Sequence, residues 1–260
     1  MSQSIVLIPA RAGSKGILRK NLKLVRGREL TIRTIIHALK MNSKSSLVLS
    51  TNDLKLFLIV EKFFGLEPVS KSEFHRNKIV KNDFIYFHFR SEDLSSDDTH
   101  ITKVLSEVRR QFEIENIRFT TWCLLQPTSP FRSLKELRDL GKILDSNSNK
   151  KYSSFSVTKV PSNHPARMYT LNSRLRAKPI KQFIKFESSR RQELPPVFIR
   201  DGGFYVIGDA LVKANKQFGK NPAAIIRDFP WSLNIDNSID LKLAESVKSS
   251  SVKNDPNEEF

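Results

Sequence analysis
The chain is poor in the residues that carry covalent or metal-based chemistry. Of its 260 residues one is cysteine, Cys123, so no intrachain disulfide can form. That cysteine lies in the apolar run Trp122-Cys-Leu-Leu125 and reads as a small core residue rather than a nucleophile. The five histidines, His37, His75, His88, His100 and His164, are scattered, with no pair at zinc-ligand spacing. No apolar stretch is long enough to span a bilayer. The opening Met1-Ser-Gln-Ser lacks the charged region and cleavage site of a signal peptide, which predicts a cytoplasmic protein without a membrane partner. Acids are scarce too: 27 Asp and Glu face 44 Lys and Arg, for a formal charge of +17. Between Lys150 and Arg191 stand eleven basic residues and one acid, Glu187. Such a field attracts polyanions. No helix-turn-helix, zinc-finger or RNP pattern accompanies it, and the aromatics are mostly Phe at core-like spacing, so the expected partners are small polyanionic substrates and not nucleic acid.

What is present begins near the amino end, in Ser4-Ile-Val-Leu-Ile-Pro-Ala-Arg-Ala-Gly-Ser-Lys-Gly-Ile-Leu-Arg-Lys-Asn21. The run Ile5–Ile8 suits a strand buried on both faces of a parallel sheet, and Pro9 stops the ladder. In the loop behind it, Gly13 and Gly16 permit positive φ, so that backbone N–H groups can turn inward around phosphate oxygens. Arg11, Lys15, Arg19 and Lys20 supply charge for a polyphosphate, the arginines as planar forks. The spacing is neither that of a Walker A loop nor that of a dinucleotide-binding G-x-G-x-x-G.

Downstream the pattern alternates. Helices are predicted at Leu30–Met41, Leu54–Phe64, Thr99–Phe112, Ser133–Leu144, Ala210–Asn215 and Ile239–Val247, and strands at Leu47–Ser50, Phe119–Leu125, Tyr152–Val157 and Gly203–Ile207. This order predicts a doubly wound, mostly parallel α/β sheet, with ligands at the carboxyl ends of its strands, where the loops Ala10–Asn21 and Gln126–Arg132 both fall. Residues 1–160 and 200–248 are assigned to this domain. Residues 161–199, with β-like runs at Met168–Leu171 and Phe183–Phe186, form an inserted basic lobe, and 249–260 read as a frayed tail.

Five segments in order resemble the acylneuraminate cytidylyltransferases, the CMP-sialic acid synthetases. They are Ile8-Pro-Ala-Arg-Ala-Gly-Ser-Lys-Gly16 with Lys20-Asn21; Ser50-Thr-Asn-Asp53; Leu124-Leu-Gln-Pro-Thr-Ser-Pro-Phe-Arg132; Arg190-Arg-Gln-Glu-Leu-Pro195 leading to Gly202-Gly-Phe-Tyr205; and Asn234-Ile-Asp236 with Asp240-Leu241. The resemblance implies a nucleotide-diphospho-sugar transferase-like fold. It also implies transfer of CMP from CTP to the anomeric hydroxyl of a sialic-acid-like nonulosonic acid, with Mg²⁺ and release of pyrophosphate. Arg11, Ser14 and Lys20 would hold the triphosphate, Arg11 at the α-phosphate, and Arg90 would contact the nucleotide. Gln126 would orient the sugar hydroxyl and Arg191 pair with the sugar carboxylate. Asp201 and Tyr205 would border the sugar, and Asn234 and Asp236 ligate the metal. Arg11, Gln126 and Asp236 are the catalytic candidates. The basic lobe resembles the family's dimerisation segment, which implies a homodimer.

Four departures qualify the match. Asn234 stands where the family usually has a first aspartate, a feature shared with the KDO-cytidylyltransferases. An octulosonate is therefore the alternative substrate, and a degenerate nucleotide-sugar binder the alternative of another class. Asp201-Gly-Gly203 replaces Asn-Gly-Ala, Leu18 replaces a proline, and the stretch from Asp53 to Arg90 is longer than usual, with Ser70–Asn82 as the inserted part.

Overall fold
The computed structural model describes residues 3–13, 16–69, 79–147, 149–160 and 163–258. The chain opens with β1 (Ser4–Pro9). A small hairpin follows the basic loop, β2 (Leu24–Val25) and β3 (Arg28–Glu29), and then α1 (Leu30–Leu39). Next come β4 (Ser46–Thr51), α2 (Leu54–Phe64), β5 (Ile79–Asn82), β6 (Ile85–Phe89), the short α3 (Glu92–Ser95) and α4 (Ile101–Ile114). β7 (Thr121–Leu124), α5 (Leu134–Ser146) and β8 (Ser153–Lys159) lead to a separate hairpin, β9 (Tyr169–Leu171) and β10 (Ala177–Pro179). β11 (Phe198–Gly208), α6 (Asp209–Lys213), β12 (Ala223–Ile226) and α7 (Ser238–Ser246) complete the order.

Eight strands form one sheet in the order β12-β8-β11-β7-β1-β4-β6-β5. The pairs β12/β8, β7/β1, β1/β4 and β4/β6 are parallel, while β11 and β5 run against their neighbours. Side chains of a strand alternate between faces, and β1 shows why its apolar run is continuous. Val6 and Ile8 enter one core with Ile32, Leu56, Phe57 and Leu140; Ile5 and Leu7 enter the other with Val104, Val108 and Phe112. Helices α1, α2 and α5 therefore cover one face and α4 and α6 the other. A third apolar cluster joins Val25, Leu30, Phe131, Leu233, Ile235, Ala244 and Val252. None of the described helices is long and apolar enough to cross a membrane.

Local rules set the elements where local chemistry suffices. Asp53 caps α2 by accepting from the backbone N–H groups of Lys55 and Leu56, and Gly65, at φ 63°, ends it in the left-handed region. Three expectations are corrected. Phe183–Phe186 is not a strand but part of a 3₁₀ stretch, Lys181–Phe186; no neighbouring strand offers it a ladder, and the Phe183 ring packs edge-on against His164. The end of the chain is not frayed through residue 258, because Val252, Asp255, Pro256 and Asn257 are buried against α1 and the β2–β3 hairpin. Of the inserted stretch 70–82, residues 79–82 form the edge strand β5, and 70–78 lie outside the described residues.

Candidate active site
The carboxyl ends of β1, β4, β6 and β7 share one edge of the sheet, and the conspicuous loops meet there. The loop after β1 is tied to the loop after β4: Ala12 N donates to Asn52 Oδ1 (2.8 Å), Thr51 Oγ1 donates to the Ala10 carbonyl (2.6 Å), and Ala10 N donates to the Ser50 carbonyl (2.8 Å). These bonds hold Arg11 over a pocket of about 250 Å³ whose walls include Lys20, Asn21, Arg90, Asp97, Gln126 and Thr128. Arg11 pairs with Asp97 at 2.7 Å. Arg90 is buried, its Nε donating to Ser50 Oγ (2.8 Å), while its Nη2 has no partner among the described residues. Burial, and then the neighbouring Arg11, lower its pKa to about 9. Three cations thus face one carboxylate across this small pocket.

Lys20 links the pocket to a second group of residues. Its Nζ donates to the Ile235 carbonyl (2.9 Å) and to Asp236 Oδ1 (3.1 Å). Asp236 Oδ2 accepts from Asn234 Nδ2 at 2.7 Å, and Ile235 N donates to the Thr128 carbonyl (2.8 Å), so residues 234–236 are stitched to the Gln126 loop. Asn234 and Asp236 do present their side chains together, as alternation requires. Asn234 Oδ1 is buried and without a hydrogen-bond partner among the described residues. Gly202, at φ +76°, lies against this spot: a Cβ there would stand 2.9 Å from Gln126 Oε1 and 3.3 Å from Asn234 Oδ1. Gln126 Oε1 and Asn234 Oδ1 converge there, while Asn234 turns its Nδ2 to the Asp236 carboxylate, so the Asn234 amide must flip before two amide oxygens and one carboxylate can face one cation. This all-oxygen donor set suits a hard divalent cation, and it is too small to hold one without further oxygens from substrate or water. Among the described residues no cluster of three or more His, Cys, Asp or Glu side chains could do so instead.

Gly16 has a reason other than the expected one. It shows no positive φ; a Cβ there would collide with the Asp236 backbone carbonyl, so glycine lets the loop pack onto residues 234–236.

The structure gathers Arg11, Lys20, Arg90, Gln126, Asn234 and Asp236 and leaves other candidates elsewhere. Ser14 lies outside the described residues. Arg191 is exposed and lines a separate trough of about 900 Å³ with Lys159, His164, Arg167, Pro195 and Phe229. Within one chain it does not reach the Gln126 group. Asp201 does not border a sugar site. It is buried, accepting from Ser156 Oγ, from Gly203 N (3.0 Å) and from Arg227 Nη1 (3.2 Å). An unpaired carboxylate would be costly there, and Arg227, also paired with Glu136 at 2.6 Å, neutralises it. Tyr205 is likewise a core residue, packed on its face of β11 near Phe218 (6.2 Å between centroids), and burial raises its pKa.

Residues not singled out in advance supply the supports. Ser50 receives the Arg90 Nε–H and bonds His88 Nδ1 at 2.8 Å. Burial first, then Arg90, lower His88 to about 3, so the ring is neutral. Asn21 Nδ2 donates to the Arg11 carbonyl (2.9 Å), and Asp97 meets the Arg11 fork. Ser50 and Asn21 stood in the matching segments without a role, and Asp97 is visible in the sequence as an acid just ahead of a predicted helix.

The chain is similar to known proteins. The chain matches the cytidylyltransferase family over residues 5–193. It is 26% identical over 247 residues to the CMP-N,N'-diacetyllegionaminic acid synthase of Legionella pneumophila, covering 94% of this chain and 95% of that one. It is 26% identical over 216 residues to an N-acylneuraminate cytidylyltransferase of Streptococcus agalactiae, covering 82% of this chain and 45% of that longer protein. In fold it is similar to a CMP:2-keto-3-deoxy-manno-octonic acid synthetase complexed with CTP, with a TM-score of 0.60 at 15% identity, covering 96% of this chain and all of the other. The family match runs through the basic loop, the Gln126 loop and the Arg191 segment, and on that extent the chain belongs to the cytidylyltransferases, enzymes of nucleotidyl transfer.

Proposed function
We propose that this enzyme transfers CMP from CTP to the anomeric hydroxyl of a nonulosonic acid of the sialic or legionaminic type and releases pyrophosphate. The observation that carries the reading is the meeting of Arg11, Lys20, Arg90 and Gln126 at one pocket on the carboxyl edge of the sheet. The sugar class is supported by relatives named for diacetyllegionaminic and acylneuraminic acids. The sugar hydroxyl attacks the α-phosphorus, a new P–O bond forms, and the bond to the bridging oxygen breaks with pyrophosphate leaving. In transfers of this kind the protein contributes chiefly positioning and charge neutralisation. Arg11, exchanging Asp97 for phosphate oxygens, would stabilise charge at the α-phosphate. Lys20 and Arg90 would hold the rest of the nucleotide, and Gln126 would fix the hydroxyl through its amide.

Mg²⁺ would be held by the Asp236 carboxylate and, with the Asn234 amide flipped from its present bond to that carboxylate, by Asn234 Oδ1, together with phosphate oxygens. When bound it would neutralise charge on the triphosphate and its leaving group. The exposed apolar side chains Met168, Leu171 and Ile184 of the basic lobe support a homodimer through that lobe, in which Arg191 would serve the partner's site. Mass by light scattering tests the dimer, and a monomer at micromolar concentration would count against it. CTP as co-substrate supports a cytoplasmic location.

The deciding experiment is pyrophosphate release with CTP and a panel of keto-sugar acids. Release is expected with CTP plus a nonulosonic acid and not with CTP alone. A preference for the octulosonate would reassign the sugar, and no release with any acid at high Mg²⁺ would overturn the enzymatic reading.

A further inference from the structure
Beneath the Gln126 loop lies a buried charged cluster that the reaction as proposed does not use. Its centre is Asp255, in the segment that follows α7. Asp255 Oδ1 accepts from His37 Nε2 (3.0 Å) and from Asn257 N (2.8 Å). Its Oδ2 accepts from Arg132 N (3.0 Å) and lies 3.5 Å from Arg33 Nη2. Arg132 passes these contacts on to the site. Its Nη2 donates to the carbonyls of Gln126 (2.9 Å) and Gly203 (2.7 Å), and its Nη1 to the carbonyl of Ser129 (2.9 Å). Arg33 Nε holds the Pro130 carbonyl (3.0 Å). Four backbone groups of the Gln126–Arg132 loop are thus fixed by Arg33, Arg132 and Asp255. One of the strand groups fixed with them, Gly203, adjoins the Gly202 against which Gln126 Oε1 packs.

The cluster is set in one state. Arg132 Nη1 can only donate, so His37 Nδ1, at 3.1 Å, accepts, and the ring proton sits on Nε2 and points to Asp255. Burial, with Arg132 and Arg33 adding to it, lowers His37 to about 4 and keeps it neutral. Burial alone would raise Asp255; His37 and Arg33 outweigh it and hold the carboxyl well below the usual carboxylate range. Two buried guanidiniums, Arg33 and Arg132, and the more exposed Arg26 surround two carboxylates, Asp255 and Glu258, the latter 3.3 Å from Arg33 and 2.6 Å from Arg26. A densely bonded network of this kind is rigid, and removing one charge leaves its partner buried and uncompensated.

We infer that Asp255 is a positioning residue for the transfer, setting the Gln126 side chain through Arg132, so that the C-terminal segment is part of the sugar-positioning apparatus. The inference rests on the role proposed for Gln126. It is tested by steady-state kinetics of Asp255→Asn, Gln126→Ala and the double variant, beside CTP binding measured without the sugar acid. Misplacement of a reacting group by about an ångström costs roughly 10- to 100-fold in rate. Asp255→Asn is expected to lose that much kcat and to need more sugar acid for half-saturation, with CTP affinity within about three-fold because Arg11 and Arg90 are anchored on other strands. The double variant should be no slower than Gln126→Ala alone, since Asp255 acts through that side chain. Multiplying effects, or wild-type kinetics of Asp255→Asn beside an inactive Gln126→Ala, overturn the inference alone. Wild-type turnover by Gln126→Ala overturns the role of Gln126 and the inference together. Should Asp255→Asn not fold, Glu258→Gln at the edge of the cluster carries the same test, with an expected loss of about two- to five-fold that is again absent in the Gln126→Ala background; unchanged kinetics would refute it.

Discussion

Replacing Asn234 with aspartate separates a metal ligand from a structural amide. Asn234 Nδ2 donates to Asp236 Oδ2 at 2.7 Å. In Asn234→Asp that donor becomes a second carboxylate oxygen facing the first. Two unit charges about 4 Å apart repel by about 1 kcal/mol in water-like surroundings, and the lost hydrogen bond costs about 1 kcal/mol more. Lys20, 3.1 Å from Asp236 Oδ1, offsets part of this, so a net loss of about 1–2 kcal/mol is expected without a cation. For a chain of this size that lowers Tm by roughly 2–8 °C. Excess Mg²⁺ should reverse the shift, because the cation now sits between two carboxylates, and ligand binding to the native state raises its stability by mass action. The free Mg²⁺ needed for half-maximal turnover should fall about ten-fold, the equivalent of about 1.4 kcal/mol of added attraction. Thermal melts with chelator and with Mg²⁺, and turnover titrated against free Mg²⁺, read both effects. A Tm lowered equally in both conditions with an unchanged Mg²⁺ requirement would refute the assignment. Asn234 would then be a hydrogen-bonding strut for Asp236 and nothing more.

Further outcomes follow from the same geometry. Arg11→Ala should lower kcat by roughly 100-fold with a smaller loss of CTP affinity, while Lys20→Ala should chiefly raise the KM for CTP; initial-rate kinetics separate the two. Gly202→Ala forces a side chain into the left-handed region beside Gln126 Oε1 and should cost about 1–2 kcal/mol in urea unfolding, with turnover falling further than Tm alone explains. Folded-state values of about 4 for His37 and about 3 for His88 lie below the unfolded value near 6.5. The unfolded chain therefore binds protons that the folded one does not, and stability is full above pH 6.5 and falls as pH drops toward 4. At pH 5 each histidine should have removed about 2 kcal/mol, so a stability by urea titration that stays flat from pH 7.5 to 5 would contradict their burial as neutral rings.

How much of this was legible in the sequence depended on how far apart the partners stand. The limits of α2 are written in Asp53 and Gly65, each acting within one turn, and the double burial of β1 is written in four consecutive apolar residues. The pocket was legible because its cations and Gln126 sit in loops that a parallel sheet must bring to one edge. The docked tail was not. Its residues are polar, and what buries Asp255 is His37 and Arg33, more than two hundred residues away in sequence. Asp201 failed for the same reason, since Arg227 decides whether that carboxylate faces a sugar or the interior. Phe183–Phe186 looked like a strand by composition, and no sequence rule says whether a ladder partner will be at hand.

The surplus of positive charge takes its meaning from where the few acids go. Three arginines with buried side chains each meet acids on the inside: Arg33 meets Asp255 and Glu258, Arg227 meets Asp201 and Glu136, and Arg132 shares the field of Asp255 and Glu136. Those charges are neutralised locally and serve the fold. Arg90 is buried as deeply, yet its guanidinium has Ser50 as its hydrogen-bond partner and no acid in an ion pair among the described residues. Its closest charged influence is another cation, Arg11, which with burial lowers its pKa. A desolvated N–H edge without an acceptor costs on the order of 1–3 kcal/mol, and native proteins keep few such groups unless a ligand or water completes them. Arg90 lines the pocket that also holds Arg11 and Lys20, so a small turn of its guanidinium toward an anionic oxygen arriving there would satisfy the buried Nη2 and relieve the repulsion from Arg11 at once. Arg33 and Arg132 are hydrogen-bonded through all three of their nitrogens, and Arg227 is ion-paired to two acids; the arginine at the pocket, with no acid of its own, becomes complete with a phosphate.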